Sequence, residues 1–165
     1  MKKIMASISI MILLVVFSSC SFVSRLLNYQ EEYFGFSKRS FTVVEEVDTH
    51  GGFLGDGSYY LILDCSDNEA AALSIVADWK RLPLSENLSL IMYGGEKNGR
   101  SYGYYLFKEA HMPVIENGYY CFKDRHFEAK DVSDDAELFN RFSYNFSLAV
   151  YDIDTNRLYY FEYDT

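Results

Sequence analysis

Proline, histidine and positive charge are all scarce in this chain. Two prolines and 10 glycines among 165 residues exclude a collagen-like or low-complexity chain, while 49% hydrophobic residues provide for a packed core. Fifteen Lys and Arg face 24 Asp and Glu, a formal charge of −9. That balance excludes nucleic acid and anionic lipid headgroups as partners held by charge. Three histidines and three cysteines leave few metal-ligand sets to weigh. Neither GxGxxG nor GxxxxGK(S/T) occurs, so the glycines build no phosphate cradle, and the HExxH and CxxC patterns of zinc proteases and redox enzymes are missing too. The length fits a single domain. What the chain has in excess is aromatic side chains, with 15 Tyr and 13 Phe beside one Trp.

The first twenty residues read as an address. Lys2 and Lys3 precede an uncharged run from Ile4 to Phe17, followed by Ser18-Ser19-Cys20, the layout of a secretory signal. As a helix the run spans only ~21 Å, short of a ~30 Å hydrocarbon core, so a permanent membrane span is the weaker reading. Phe17-Ser18-Ser19-Cys20 resembles the lipobox of bacterial lipoproteins, in which small residues precede a cysteine that is lipidated and becomes the new N-terminus. Phe17 stands where those proteins more often carry an aliphatic residue. The resemblance implies a signal peptide over residues 1–19, a palmitate-type anchor at Cys20, and export to the cell membrane or outer surface. Ordinary cleavage after Ser19 or Ser21, which yields a secreted protein, is the alternative. Without Lys2 and Lys3, 13 basic side chains face 24 acidic ones, a charge of −11. Acyl chains, not charge, would then hold the domain at an anionic bilayer.

Residues 20–40 read as a tether with a short helix, with Phe22, Val23, Leu26, Leu27 and Gln30 near helical spacing; residues 41–165 read as one α+β domain. Phe41 to Val47 is rich in β-branched residues, and Ser58 to Cys65 is its returning strand. Ser66 and Glu69 have capping-box spacing and open the expected main helix, which carries Ala71, Ala72, Ile75, Val76 and Trp79 on one side and ends before Pro83. Ser85 to Met92 adds a short helical turn, and Gly94 to Arg100 a loop. Tyr102 to Phe107 and Gly118 to Asp124 are expected strands. Phe142, Tyr144, Phe146, Leu148 and Val150 alternate with Ser143, Asn145, Ser147 and Ala149, which predicts a strand with one buried and one polar face. Leu158 to Tyr163 closes a hairpin with it. The expected fold class is α+β: an antiparallel sheet of about five strands with one main helix packed on one face.

The glycine-dense loop Asp48 to Gly57 carries a DTHGGF-x-GDG pattern similar to one found in small uncharacterised bacterial proteins, a likeness that implies no particular activity. Two physical readings stay open for it. Asp48, His50 and Asp56 converge on a divalent metal, with glycines letting the backbone fold around the ion. Alternatively it is a long hairpin loop whose Asp and His cap local N–H groups. Asp152-Ile153-Asp154-Thr155-Asn156 mimics the opening of an EF-hand loop, but Arg157 replaces the glycine and Tyr163 the bidentate glutamate, so a hairpin turn is the better account. Cys65 and Cys121 fall on expected strands. They form either a cross-strand disulfide or two buried thiols, and the demanding geometry of a disulfide favours thiols.

Tyr59-Tyr60, Tyr104-Tyr105, Tyr119-Tyr120 and Tyr159-Tyr160 are doublets in expected strands, each sending one ring to either side of the sheet. Tyr60, Tyr105, Tyr120 and Tyr160 are therefore candidates for an exposed binding face, against the alternative that both faces are covered. Taken together, the residues point to a lipid-anchored cell-envelope protein acting as a non-enzymatic binding or interaction module. Its expected partners are the membrane through Cys20 and a basic protein or a carbohydrate, not nucleic acid. The alternatives are a metal-binding protein or metal-dependent hydrolase using Asp48, His50 and Asp56, and a surface carbohydrate-binding lipoprotein. No catalytic residue is assigned, and no cofactor apart from that divalent metal.

Overall fold

The computed structural model describes residues 30–51 and 55–165. The lipobox with Cys20, and Phe22 to Leu27 of the expected tether helix, lie outside the described residues. The chain divides into two compact units, Met1–Ser37 and Lys38–Thr165. In the first, residues 30–34 are helical, and the turn closes with the Gly35 N–H donating to the Glu31 carbonyl at 3.2 Å.

The second unit runs β1 (Thr42–Asp48), β2 (Gly57–Asp64), α1 (Glu69–Ile75), β3 (Lys80–Arg81), α2 (Glu86–Tyr93), β4 (Gly95–Lys97), β5 (Arg100–Tyr102), β6 (Gly118–Asp124), β7 (Asn145–Asp152) and β8 (Arg157–Asp164). Six strands form an antiparallel sheet in the order β1-β2-β8-β7-β6-β3, and β4 pairs only with β5. The α+β class holds, with six strands in the main sheet where about five are expected from sequence.

Period-two patterning sets the register. Val47, Tyr60, Phe161, Leu148 and Phe122 lie side by side across five strands, and Ile62, Tyr159, Val150 and Tyr120 form the next rung. This face is closed by Leu88, Ile91 and Met92 of α2 and by Leu106, Ala110, Met112 and Ile115 of the following loop. Fully burying one such aliphatic or aromatic side chain contributes about 1.5–3 kcal/mol. The opposite face is buried as well: Leu61, Leu63, Ala149, Tyr151, Leu158 and Tyr160 are all inaccessible. The expected polar face of β7 is therefore not polar in use, because Ser147 and Ala149 are fully buried. Small side chains next to large rings fill a core as readily as they face water. Gly118 at the start of β6 shows how tight the packing is: a Cβ there would stand 1.9 Å from the Tyr151 carbonyl oxygen.

The helices differ from expectation. The expected main helix is only the seven-residue α1 plus a 3-10 turn over Val76–Asp78, burying Ala72 and Val76. Its capping box does not form. Ser66 begins a separate 3-10 turn, and its N–H donates to Asp64 Oδ1 at 2.9 Å. The helix that seals the core is α2, read from sequence as a mere turn. Ser85 caps it by accepting the Leu88 N–H at 3.2 Å, Glu86 sits in its first turn, and Leu84, Leu88, Ile91 and Met92 follow helical spacing. Its last carbonyls, Ile91 and Met92, accept N–H bonds from Leu106 and Phe107. The expected loop after it is the β4–β5 hairpin, turned by Asn98 and Gly99 at φ 53° and 73°, the positive angles of a type I′ turn. The expected strand Tyr102 to Phe107 stops at Tyr102, and Tyr105 takes a positive φ of 50°.

Burial of so many tyrosines has a consequence for alkaline stability. Burial pushes Tyr60 and Tyr151 up to about 12, and it also raises Tyr93, Tyr120, Tyr144 and Tyr163 above their ordinary value. The unfolded chain gives up these protons first, so stability holds below pH ~10 and falls as pH rises from ~10 towards ~12. Near-ultraviolet titration of tyrosinate is expected to show two phases, the second coinciding with loss of near-ultraviolet circular dichroism. All tyrosines ionising together near pH ~10 with the fold intact would contradict this reading.

Candidate functional site

Two clusters stand at the end of the sheet where Gly57, Asp164 and Asn145 lie in register. The first is a clamp built on the β1–β2 loop. His50 Nδ1 meets Asp48 Oδ1 at 2.7 Å, and the His50 N–H donates to the same oxygen at 2.9 Å. On its other side His50 Nε2 meets Asp164 Oδ2 at 3.0 Å, and Arg125 Nη2 donates to that oxygen at 2.9 Å. Glu162 lies 3.8 Å from the same guanidinium. Asp56 stays exposed, and its backbone carbonyl accepts the Gly51 N–H at 3.4 Å.

The structure thus brings Asp48 and His50 together, leaves Asp56 apart, and supplies Asp164 from the far end of the chain. Each ring nitrogen of His50 faces a carboxylate, Asp48 on one side and Asp164 on the other. Among the described residues no three His, Cys, Asp or Glu are placed to hold a metal ion. The arrangement ties the loop to the C-terminal strand by charge-assisted bonds.

Of the four candidate sheet tyrosines, three are core members. Tyr60 is buried, donating to Glu45 Oε1 at 2.6 Å beside His111 Nδ1 at 3.1 Å. The Tyr60 hydroxyl, then His111, holds Glu45 below the usual carboxylate range. Tyr120 is buried in the α2 layer, and Tyr160, also buried, donates to Glu162 Oε1 at 2.5 Å. Tyr105 is exposed, but it lies in a loop with the Lys108 ammonium 5.2 Å from its ring. Both sides of the sheet are packed along β2, β8 and β7, whereas the doublet partners Tyr59 and Tyr119 are half-buried. Cys65 and Cys121 are free thiols, with β8 and β7 between their strands. Burial pushes the Cys65 thiol up to about 12 and raises Cys121 too, which makes both poor nucleophiles. Asp152 to Asn156 forms the β7–β8 turn, with Asp152 accepting from the Asp154 N–H and the Thr155 hydroxyl.

The second cluster was not legible as a unit in the sequence. Tyr102, Tyr104, Phe139 and Tyr144, with Arg100, Ser101 and Gly103, line an open cleft of ≈490 Å³. Tyr102 ends β5. Phe139 sits on a 3-10 turn, Leu138–Asn140, that is pinned by the buried Leu138. Tyr144 exchanges backbone and side-chain bonds with Thr165, both at 2.9 Å. Tyr102 and Phe139 have centroids 4.5 Å apart, Tyr104 stacks on Phe139 at 6.2 Å, and Tyr104 meets Tyr144 edge-on at 5.3 Å. The Tyr144 hydroxyl donates to the Tyr104 hydroxyl at 2.7 Å, which leaves the Tyr104 proton to point elsewhere.

Gly99-Arg100-Ser101-Tyr102-Gly103 has the letters of a GxSxG nucleophile motif. Its setting is wrong for that chemistry. A nucleophile elbow needs a strand-to-helix turn, whereas Ser101 lies within the β4–β5 hairpin and donates to Glu96 Oε1 at 3.3 Å. His126, isolated in sequence, is buried and packs against the exposed rings of Phe127 and Phe142, with centroids at 4.7 and 5.3 Å. Among the described residues no helix is long and apolar enough to cross a membrane. No protein-family model, curated protein or solved structure matches this chain.

The clamp has a direct test. Asp164→Asn weakens its bonds to both His50 and Arg125, and should cost about 1–3 kcal/mol of stability. Amide exchange at Thr49, His50 and Gly51 should accelerate by roughly tenfold, with β6 and β7 unchanged. Unaltered exchange in the loop would show that the clamp does not hold it.

Proposed function

We propose that this chain is a saccharide-binding module of the bacterial cell envelope, held there by lipid on Cys20. The observation that carries the binding half is the cleft between Tyr102, Tyr104, Phe139 and Tyr144. A sugar ring has a flat face of C–H groups, which is attracted to the negative face of an aromatic ring, and a rim of hydroxyls that need donors and acceptors. The cleft offers both, since four aromatic rings stand beside the Arg100 guanidinium, the Ser101 hydroxyl and the tyrosine hydroxyls. Its volume lies within the range of small-molecule sites, about 300–1,000 Å³. Tyr104 is 42% exposed, so its ring is available for stacking. The location half is supported by the run from Lys2 to Cys20 and by an acidic charge that leaves the acyl chains to do the anchoring.

Binding is checked by titrating the full chain in detergent against a panel of cell-surface oligosaccharides. Tyr104→Ala should weaken the best ligand by about tenfold with the melting temperature unchanged. Absence of any saccharide binding, or binding that ignores Tyr104→Ala, contradicts the proposal. For the anchor, Cys20→Ala should lose acyl labelling and leave the membrane fraction, and unchanged fractionation would refute lipidation.

A further inference from the structure

The aromatic cleft bears a positive charge on an acidic protein. Acidic residues outnumber basic ones by 24 to 15 along the chain, yet none of the residues lining this cleft is acidic, and Arg100 stands among them. The β4–β5 hairpin accounts for the sorting. Side chains alternate along a strand, and residues directly opposite one another share a face. The register pairs Lys97 with Arg100, Glu96 with Ser101 and Gly95 with Tyr102. Arg100 and Tyr102 therefore project to one side together with Lys97. Glu96, the only carboxylate of the hairpin, projects to the other, where it accepts the Ser101 hydroxyl at 3.3 Å.

The two cations on that side are not equally engaged. Lys97 Nζ pairs with Glu86 Oε2 at 2.8 Å and donates to Asn87 Oδ1 at 2.9 Å. Arg81, Arg125 and Arg141 are likewise committed elsewhere, to Asn117, Asp164 and Asp124. The exposed Arg100 guanidinium makes no hydrogen bond, ion pair or ring contact among the described residues. It keeps a planar fork of donors for an acceptor that a ligand brings. Tyr104 adds one more donor, because its oxygen accepts from Tyr144 and its own proton remains to be given. A carboxylate matches this pair, since its two oxygens accept both prongs of a guanidinium. The overall charge of −9 sets a limit on the ligand, because it repels polyanions and favours a single negative group beside the rings.

We propose that the cleft selects acidic saccharides, those whose ring carries a carboxylate in the manner of a uronic acid, over neutral ones. The C–H face of the sugar lies on the aromatic side chains, and Arg100 and Tyr104 hold the carboxylate. This rests on the saccharide reading of the cleft and adds the class of sugar. The rings supply affinity and Arg100 supplies the choice, so a neutral sugar of the same shape binds more weakly.

Calorimetric titration of the full chain in detergent tests this with a set of uronic-acid disaccharides and the same disaccharides with the carboxyl reduced to a hydroxymethyl group. The acidic form of the best ligand should bind about tenfold more tightly than its reduced form, the gain expected of one charge-assisted pair. Arg100→Gln changes an exposed side chain that holds nothing in place, so the melting temperature should not move. It should erase the gain and leave the affinity for the reduced form unchanged, whereas Arg100→Lys should keep part of the gain. Equal binding of the two forms that still depends on Tyr104, or a gain that survives Arg100→Gln, overturns the proposal and leaves the saccharide reading standing. Binding of neither form, or binding of the acidic form that ignores Tyr104→Ala, overturns both.

Discussion

Strands β2, β8 and β7 are buried on both faces over their central residues, and this dictates where polar chemistry can stand in the molecule. A polar group on either face must find a partner or bear a desolvation cost of about 1–3 kcal/mol. The core tyrosines show the solution. Three of them place the ring in the packed layer and the hydroxyl against an acceptor at an edge, a strand end or a turn: Tyr60 on Glu45 of the edge strand β1, Tyr160 on Glu162, and Tyr151 on Asn156 in the β7–β8 turn. Tyrosine serves here because its apolar body and polar tip answer both requirements.

The same constraint drives ionic groups to the end of the sheet. There β6 hands over from Asp124 to Arg125, and the two side chains organise different neighbours. Arg125 reaches Asp164 and through it His50, which ties down the β1–β2 loop. Asp124 receives Arg141, the residue that precedes Phe142 and the turn into Tyr144. Leu138, buried in the core, sets the 3-10 turn that presents Phe139. The rings of the cleft are therefore positioned by buried contacts beneath them, although the cleft itself is open.

Local patterns were readable from sequence and long-range partnerships were not. The strand at Gly118–Asp124 and the tyrosine doublets at 59–60, 119–120 and 159–160 could be placed because alternation and β-branched or aromatic content act within a few residues. The α2 helix reads as a mere turn from sequence because its eight residues carry a weak periodic signal, while its docking against Leu106 and Phe107 is a tertiary contact. The Asn98-Gly99 hairpin was legible in principle, since that dipeptide is the strongest short-range turn signal. The partner of His50 was not, because Asp164 is 114 positions away and Asp56 is the nearer carboxylate in the loop. Tyr104 and Tyr144, 40 positions apart, likewise meet only once the sheet has ordered its strands. Tyrosine doublets in strands drew attention to the rings that the core consumes, and away from those that loops leave open.

The central claim is that the loop-borne rings, and not the sheet tyrosines, receive the ligand. Ring-labelled tyrosine in the full chain, followed by nuclear magnetic resonance as a bound disaccharide is added, reads this directly. The account predicts that the resonances of Tyr102, Tyr104 and Tyr144 move while those of Tyr60, Tyr120, Tyr151 and Tyr160 stay fixed. Shifts confined to the sheet tyrosines, or no shift in any ring on binding, would contradict it.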